Sequence, residues 1–415
     1  MRFFHIADLH IGKTIYGTSM VENGDQKFWI ESFIELCREE KPDAVLIAGD
    51  VYDRSAPSGD AVMLLDHMLT ELNKQEIPVF MIAGNHDSGQ KLSFGSEILS
   101  KGNIHVAGII EPEIRHFTIE DKDGNGPVTF WLMPYLFPEQ VSHVLDDDTI
   151  RSYDSAVREL IAKQDIDFSA RNVLIAHQNV TADGKEAERG GSESMVGGVG
   201  QIDFSAFDGF DYVALGHIHS AYPVGRQEVR YSGTPLCYHF EETRQSKKGP
   251  LLVELKEKGE APVITLKEIR PLHKMRALSG TVEEIRNLLE VDDGKEEYVS
   301  ITITDQRITP NISNHFREIL ISRGSILMEL ISTFSEFRTV SASASAKAVA
   351  EKPIEELFAD LYKERRDDTP PDDDEYEIMK YVGEIVRNAD THESIDSKTV
   401  ENIIEFAAKI GGGEG

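Results

Sequence analysis

Apolar runs and helically spaced apolar positions alternate along the first hundred residues of the chain. The apolar runs over 2–7, 43–48 and 77–83 predict short buried strands. The stretches between them, over 28–40 and 61–74, repeat apolar residues at helical spacing and predict amphipathic helices. Because strands and helices alternate in this order, we predict an α/β fold in which a parallel sheet is covered by helices.

The later part of the chain predicts more strands and then a separate small unit. Three further apolar runs, each typical of a strand, cover 128–134, 172–177 and 211–217. The pattern over 251–269 predicts a hairpin that turns at Lys258–Glu260. Strand, helix and strand patterns follow in turn over 297–333, which predicts a small α/β unit.

The residue composition and pattern change after residue 340. Residues 341–352 read SASASAKAVAEK, a run of small residues that is typical of a linker. Helical patterns follow over 353–366 and 374–389. We therefore predict three parts of the chain: a large α/β domain over 1–268, a small α/β domain over 269–340, and a linker with C-terminal helices over 341–415.

Composition narrows the class of protein. No stretch approaches the roughly 18 apolar residues that cross a bilayer, and the N-terminus lacks the pattern of a signal peptide. The only cysteines are Cys37 and Cys237, which excludes a disulfide framework and a cysteine-based zinc site. We therefore expect a cytoplasmic protein without a membrane partner. The formal net charge of −30 argues against nonspecific nucleic-acid binding by the whole surface, although bound metal ions would supply local positive charge.

Polar side chains follow five of the predicted strands at the point where each strand ends. In open α/β sheets, ligands bind at the carboxyl ends of the strands, so these groups are expected to converge on one site. The groups, in chain order, are Asp8 and His10; Asp50 and Asp53; Asn85, His86 and Asp87; His177; and His217 and His219.

The chemistry of this set indicates a metal site. Carboxylates, imidazoles and an amide oxygen without thiolates suit Mn²⁺ or Fe²⁺, and Zn²⁺ is also compatible. Asp50 could bridge two ions, and two ions about 3.5–4 Å apart can clamp a phosphate ester. Each motif alone has a common structural explanation; the Gly-Asn-His-Asp sequence at Gly84, for example, suits a turn. Five such groups in order, each after a strand, favour a dinuclear metal site.

These motifs resemble the calcineurin-like metallophosphoesterase superfamily, and within it the SbcD family of nuclease subunits. The resemblance lies in D-x-H, G-D-x-x-D, G-N-H-D, a lone His and G-H-x-H, which cover about residues 1–240. It implies a β-sandwich flanked by helices, followed by a small α/β capping domain and a C-terminal helical tail.

The resemblance also implies roles for individual residues. Asp50 would be shared by two metal ions, most simply Mn²⁺. His86 would not be a ligand but would stabilise charge at the phosphate and protonate the leaving oxygen, and Asp53 would reach His86 and fix its tautomer. One ion would be held by Asp8, His10 and His219, and the other by Asn85, His177 and His217.

The function implied by the resemblance is that of an Mn²⁺-dependent DNA phosphodiesterase, a double-strand exonuclease and single-strand endonuclease. In the SbcD family this subunit works with an SbcC-type, SMC-like ATPase on DNA ends and hairpins in repair, recombination and replication, as a homodimer within a heterotetramer. No G-x-x-x-x-G-K-[ST] motif occurs in this chain, so ATP binding is assigned to the partner. Alternatives are a phosphoesterase acting on a small phosphoester or cyclic nucleotide, and a non-catalytic scaffold.

For several other features the sequence allows both a functional and a structural interpretation. Lys13 and Arg54 adjoin the ligand loops and could contact DNA phosphates or be solvated surface charge. The Gly/Ser-rich loop over 185–203 could contact substrate or merely connect. Asp87 could be a loop cap, and the helices after residue 353 could pack on their own domain or bind the ATPase.

Overall fold

The protein is described by a computed structural model, and its chain divides into two compact units, Met1–Phe334 and Ser335–Gly415. The structure describes residues 1–122, 124–182, 200–244, 247–291, 294–334, 362 and 371–388.

The elements follow the order predicted for an α/β protein. The strands are β1 Arg2–Ile6, β2 Thr14–Ile15, β3 Thr18–Ser19, β4 Ala44–Ala48, β5 Val79–Ile82, β6 Ile104–Ala107, β7 Arg115–Glu120, β8 Pro127–Met133, β9 Arg171–His177, β10 Val180–Thr181, β11 Ile202–Asp203, β12 Tyr212–Gly216, β13 Pro223–Val224, β14 Arg226–Tyr231, β15 Leu251–Glu254, β16 Val263–Leu266, β17 Lys274–Gly280, β18 Glu297–Ile303 and β19 Ile326–Ser332. The α-helices are α1 Asp25–Glu40, α2 Gly59–Lys74, α3 Gly89–Leu92, α4 Ser96–Ser100, α5 Pro138–Leu145, α6 Tyr153–Ala162, α7 Val282–Val291, α8 Pro310–Ile321 and α9 Asp373–Asn388. Short 3-10 helices cover Phe204–Phe207 and Phe240–Arg244.

Two six-stranded mixed sheets form the centre of the first unit. The first has the order β16-β15-β1-β4-β5-β6, in which β1, β4, β5 and β6 run parallel. The second has the order β13-β14-β12-β9-β8-β7, in which β14, β12, β9 and β8 run parallel. The strands β15 and β16 pair antiparallel, which confirms the predicted hairpin.

The two sheets pack face to face around an aromatic core. Phe80 of the first sheet stacks on Phe130 of the second at a centroid distance of 4.6 Å. Phe3 meets Phe130 and Tyr212 edge to face, at 5.7 Å and 5.5 Å. All four side chains are fully buried, so the predicted β-sandwich is confirmed.

Helices cover the outer faces of the sandwich. Trp29 and Phe33 of α1 join Phe4 of the first sheet in one buried cluster, as their helical spacing predicted. On the other side, Leu160 of α6 packs in a cluster with Leu174 of β9. This layering leaves the carboxyl ends of the central strands as the place where polar loops can gather.

A small parallel sheet, β17-β18-β19, follows the sandwich in the first unit. With α7 and α8 it forms the predicted small α/β unit around its own core, in which Phe316 is fully buried. A buried polar contact joins it to the sandwich: the hydroxyl of Tyr298 donates to Asp25, which also accepts a bond from His273 at 2.9 Å. The boundaries drawn at 268/269 and 340/341 stay predictions.

The C-terminal helices are only partly described. The helix predicted over 374–389 is found as α9. The linker over 341–352 and, except for residue 362, the helix predicted over 353–366 lie outside the described residues, as does the loop over 185–203 up to residue 199. Within the described part of the chain, no helix combines the length and apolar character needed to cross a membrane.

Candidate metal centre

The loops that follow the parallel strands bring the predicted side chains together. Asn85 Oδ1 lies 3.0 Å from His177 Nε2 and 3.1 Å from His217 Nδ1. The main-chain N–H of His217 donates to Asp8 Oδ1 at 3.0 Å, which links loops of the two sheets. Groups of carboxylates and imidazoles placed closely enough to hold an ion are Asp8, His10 and His219; Asp8, Asp50 and His177; and His10, Asp50 and His86.

Asp50 lies at the centre of this arrangement. Its Oδ2 is 3.4 Å from His177 Nε2 and 3.7 Å from His10 Nε2, and its Oδ1 accepts a bond from the main chain of His86 at 2.9 Å. Burial alone would raise the pKa of Asp50, but His177 and then His10 hold that pKa well below its usual range. A carboxylate that faces both halves of the cluster is placed to be shared by two ions.

Unusual backbone conformations set the direction of the proposed ligand side chains. Four of the predicted ligands have a positive φ: Asp8 at 53°, His10 at 42°, Asp50 at 46° and His217 at 102°. Such conformations cost free energy in non-glycine residues and are typical of functional sites. Gly84 allows the backbone to pass close to the Asp50 carboxylate, because a Cβ at this position would lie 2.1 Å from Asp50 Oδ1.

His10 provides the clearest test of whether these residues fit a metal. The side chain is buried, and neither of its ring nitrogens has a hydrogen-bond partner among the described residues. Burial lowers the pKa of His10 well below its usual value, so the ring is neutral and can donate a lone pair. A buried imidazole without partners is costly, and coordination to an ion would satisfy it.

His177 and Asp8 lead to the same conclusion. His177 Nδ1 donates to the carbonyl of Ala48 at 2.8 Å, so Nε2 faces the oxygens of Asn85 and Asp50. Burial would lower the pKa of His177, but the Asp50 carboxylate raises it to about 9. Burial raises the pKa of Asp8 to about 7. A divalent cation would replace the proton at both places, so the residues present fit a metal centre.

Glu242 is a functional candidate that the sequence patterns missed. It is buried, and its Oε1 accepts a bond from His219 Nδ1 at 3.2 Å. Its Oε2 accepts bonds from Lys248 Nζ at 2.6 Å and Thr234 Oγ1 at 3.1 Å. Carboxylates in this position orient metal-binding histidines. Glu242 lies in a short 3-10 helix beside another glutamate, so no periodicity distinguished it.

The structure corrects the expected contact between Asp53 and His86. His86 Nδ1 donates to the main-chain carbonyl of Asp53 at 3.0 Å, while the Asp53 carboxylate pairs with Lys13 Nζ at 2.7 Å. That carboxylate also lies 3.7 Å from His10 Nδ1 and from Arg54 Nε. The tautomer of His86 is therefore fixed by a backbone group, and the Asp53 carboxylate faces Lys13 and His10 instead.

The remaining predicted residues have clear positions. His86 is open to solvent, with 42% of its side chain exposed, and its Nε2 lies 4.0 Å from Asp50 Oδ2. Arg54 is exposed, whereas Lys13 is partly covered by its ion pair. Asp87 accepts bonds from the main chain of Val51, Tyr52 and Gly84, so it caps the loops as its structural interpretation expected.

Comparisons with known proteins identify the family to which the sequence is similar. The sequence matches the calcineurin-like phosphoesterase family over residues 1–221 and the type 5 capsule protein repressor C-terminal domain over residues 271–366. A protein of Staphylococcus saprophyticus, named as the SbcD subunit of the nuclease SbcCD, is 32% identical over 326 residues, which cover 77% of this chain and 82% of that protein. The alignment with the crystal structure of TT1561 from Thermus thermophilus covers 65% of this chain and 99% of that chain, at 11% identity and a TM-score of 0.37. From the sequence matches, the chain belongs to the calcineurin-like phosphoesterases and, within them, to the SbcD family of nuclease subunits.

Proposed function

We propose that this chain is a metal-dependent DNA phosphodiesterase that serves as the nuclease subunit of an SbcCD-type complex. The observation that carries the proposal is the convergence of carboxylates, imidazoles and an amide oxygen around the buried carboxylate of Asp50. The staphylococcal relative, which is named as a subunit of the nuclease SbcCD, supports DNA as the substrate. Processing of DNA ends and hairpins in repair, recombination and replication would follow from that activity.

Seven residues would hold two divalent ions. A set rich in oxygen and imidazole donors and free of thiolates supports Mn²⁺ as the metal. Two such ions, when bound, polarise the phosphate ester and activate water. One ion would be held by Asp8, His10 and His219, the other by Asn85, His177 and His217, and both by Asp50.

His86 would carry the proton to the leaving oxygen. Its Nδ1–H is held by the carbonyl of Asp53, which leaves Nε2 to take up a proton from solvent and give it to the alkoxide. The exposed ring lies edge to face against His10 at 4.8 Å, so it stands at the edge of the metal centre. Arg54, which is exposed beside it, would contact a flanking phosphate, and Lys13 would do so only by leaving Asp53.

The partners follow from the same family. We propose that an SbcC-type ATPase binds the region over 341–415, and that the small domain over 269–340 caps the nuclease domain over 1–268. A second copy of the chain is proposed as a further partner from the same family. A chain ending at Phe334, the limit of the first compact unit, should keep its metals and fail to co-purify with the ATPase.

One assay tests the proposed activity. The purified chain is incubated with Mn²⁺ and linear duplex, hairpin or single-stranded DNA, beside a phosphomonoester, with and without the ATPase. Cleavage of exposed ends and single strands is expected, and His86→Ala controls for a contaminating nuclease. Hydrolysis of the phosphomonoester without any DNA cleavage would instead favour the small-substrate alternative.

A further inference from the structure

Three aromatic side chains form a group beside the metal centre, which we call the aromatic ledge: Tyr135, Phe137 and Tyr153. Tyr135 follows β8, and its main-chain N–H donates to the carbonyl of Ala83 at 2.9 Å. Ala83 begins the loop that carries Asn85. The ledge is therefore tied to the same strand end that delivers one of the proposed metal ligands.

The ledge touches the ligands of the centre directly. The ring of Tyr135 lies 6.1 Å from that of His177 and 6.4 Å from that of His217. Phe137 meets Tyr135 edge to face at 5.0 Å, and Tyr153 lies 6.3 Å from Phe137. The hydroxyls of the two tyrosines are 3.4 Å apart, which fixes their rings relative to each other.

Phe137 is the open end of the ledge. It is the N-cap residue directly before α5, and 45% of its surface is exposed. A single exposed phenylalanine is ordinary in a protein surface. What is informative here is its place, at the end of an aromatic group whose other end contacts two imidazoles of the metal centre.

We propose that the aromatic ledge stacks an unpaired nucleobase next to the phosphate under attack, an inference that rests on the proposed nuclease function. The base of a nucleotide lies one sugar away from its phosphate, so a phosphate at the ions places its base at the rim of the centre. Every base has an aromatic face, so stacking binds single strands without regard to sequence. It also requires no positive potential, which matters for a chain of net charge −30.

The ledge would favour single strands and frayed ends over intact duplex. In a duplex each base is stacked between its neighbours and paired, so its face is not free until the strand opens. The cost of opening falls where pairing ends. Stacking on the ledge would therefore hold an opened nucleotide in place while its phosphate is cleaved, and would leave the interior of a duplex untouched.

The decisive variant is Phe137→Ala, tested on two matched single strands with Mn²⁺ present. One strand is an ordinary oligonucleotide, and the other has abasic residues around the position where it is cut. Phe168→Ala is the matched control, because Phe168 is similarly exposed at 39% but precedes the amino end of β9, opposite the metal centre. Phe137→Trp is the rescue variant, and the thermal midpoint of each chain reports folding.

The proposal expects Phe137→Ala to lower kcat/KM on the ordinary strand by about tenfold or more, the loss of roughly one stacked base. The loss should vanish on the abasic strand, and Phe137→Trp should restore cleavage of the ordinary strand. Phe168→Ala should leave kcat/KM unchanged on both strands. Equal loss on both strands, or no loss on either, would overturn the proposal.

Binding is measured separately, so that the ledge is judged even if the chain proves not to be a nuclease. A single strand carrying 2-aminopurine should lose fluorescence on binding, and Phe137→Ala should abolish that quenching. Quenching without cleavage of any DNA would refute the proposed function and leave the ledge standing. Cleavage by a chain whose Phe137→Ala variant quenches as before would refute the ledge alone.

Discussion

Replacing Glu242 by Gln removes the buried charge behind His219 while preserving the size of the side chain. The carboxylate accepts bonds from His219 and from Lys248, and only 2% of the residue is exposed. Gln retains one acceptor oxygen but presents N–H groups to at least one of these donors. The substitution therefore tests whether Glu242 holds His219 in the orientation that metal binding requires.

The magnitude follows from the surroundings of the carboxylate. Burial raises the pKa of Glu242, but His219 and Lys248 more than offset it and lower the pKa from 4.5 to about 2. That difference corresponds to about 3 kcal/mol in favour of the charged form in the folded protein. Because the folded pKa is depressed, this stability is present above pH 4.5 and is lost as the pH falls towards 2.

Two measurements at pH 7 check the prediction. Urea unfolding of the metal-free chain should show a loss of about 3 kcal/mol, and calorimetric titration with Mn²⁺ should show affinity reduced about 10- to 100-fold. The matched control is Glu241→Gln, which alters an exposed neighbour and should change neither value. If Glu242→Gln binds Mn²⁺ as tightly as the unchanged chain, Glu242 does not position His219.

Three further predictions concern single side chains. His86→Ala should keep both metal ions, measured by atomic absorption, and lose about 10²- to 10⁴-fold in kcat; loss of the metals would make His86 a ligand. Asp53→Asn should leave the pH optimum of cleavage unchanged, because the backbone carbonyl of Asp53 holds His86. It should weaken Mn²⁺ binding, because the Asp53 carboxylate faces His10 and pairs with Lys13. A shifted pH optimum would contradict this prediction. Burial and then Arg230 lower the pKa of His5 to about 3. As the pH is lowered below 6.5, His5 is therefore protonated in the unfolded chain before it is protonated in the folded one. The free energy of unfolding then decreases by up to about 1.4 kcal/mol per pH unit. Urea unfolding of His5→Gln should show a shallower fall between pH 6.5 and 4, and parallel curves would refute it.

The sequence was sufficient for the parts of the fold that depend on periodic apolar positions. Helix α1 and strand β4 were predicted to within a few residues, since Trp29, Phe33 and their neighbours recur at helical spacing and β4 is a continuous apolar run. The convergence of the polar loops could also be foreseen, because parallel strands present their carboxyl ends at one edge of a sheet. The pairing of the second sheet was not predictable, since the order of β7, β8 and β9 depends on long-range contacts.

Around the site, the sequence did not predict contacts that depend on the direction in which a side chain points in the folded protein. The resemblance implied that Asp53, three residues after Asp50, would reach His86 and fix its tautomer. In the folded chain the carbonyl of Asp53 meets His86 and the carboxylate pairs with Lys13. Glu242 comes from a distant part of the chain, and its contact with His219 exists only after folding. Such contacts carry no local pattern.

Anomalous diffraction from crystals grown with Mn²⁺, recorded at the manganese absorption edge, shows whether two ions share the Asp50 carboxylate. We expect two peaks about 3.5–4 Å apart with the Asp50 carboxylate between them. The first peak should contact Asp8, His10 and His219, and the second should contact Asn85, His177 and His217. A single peak, or a second peak that Asp50 does not touch, would contradict the shared carboxylate on which the proposed chemistry depends.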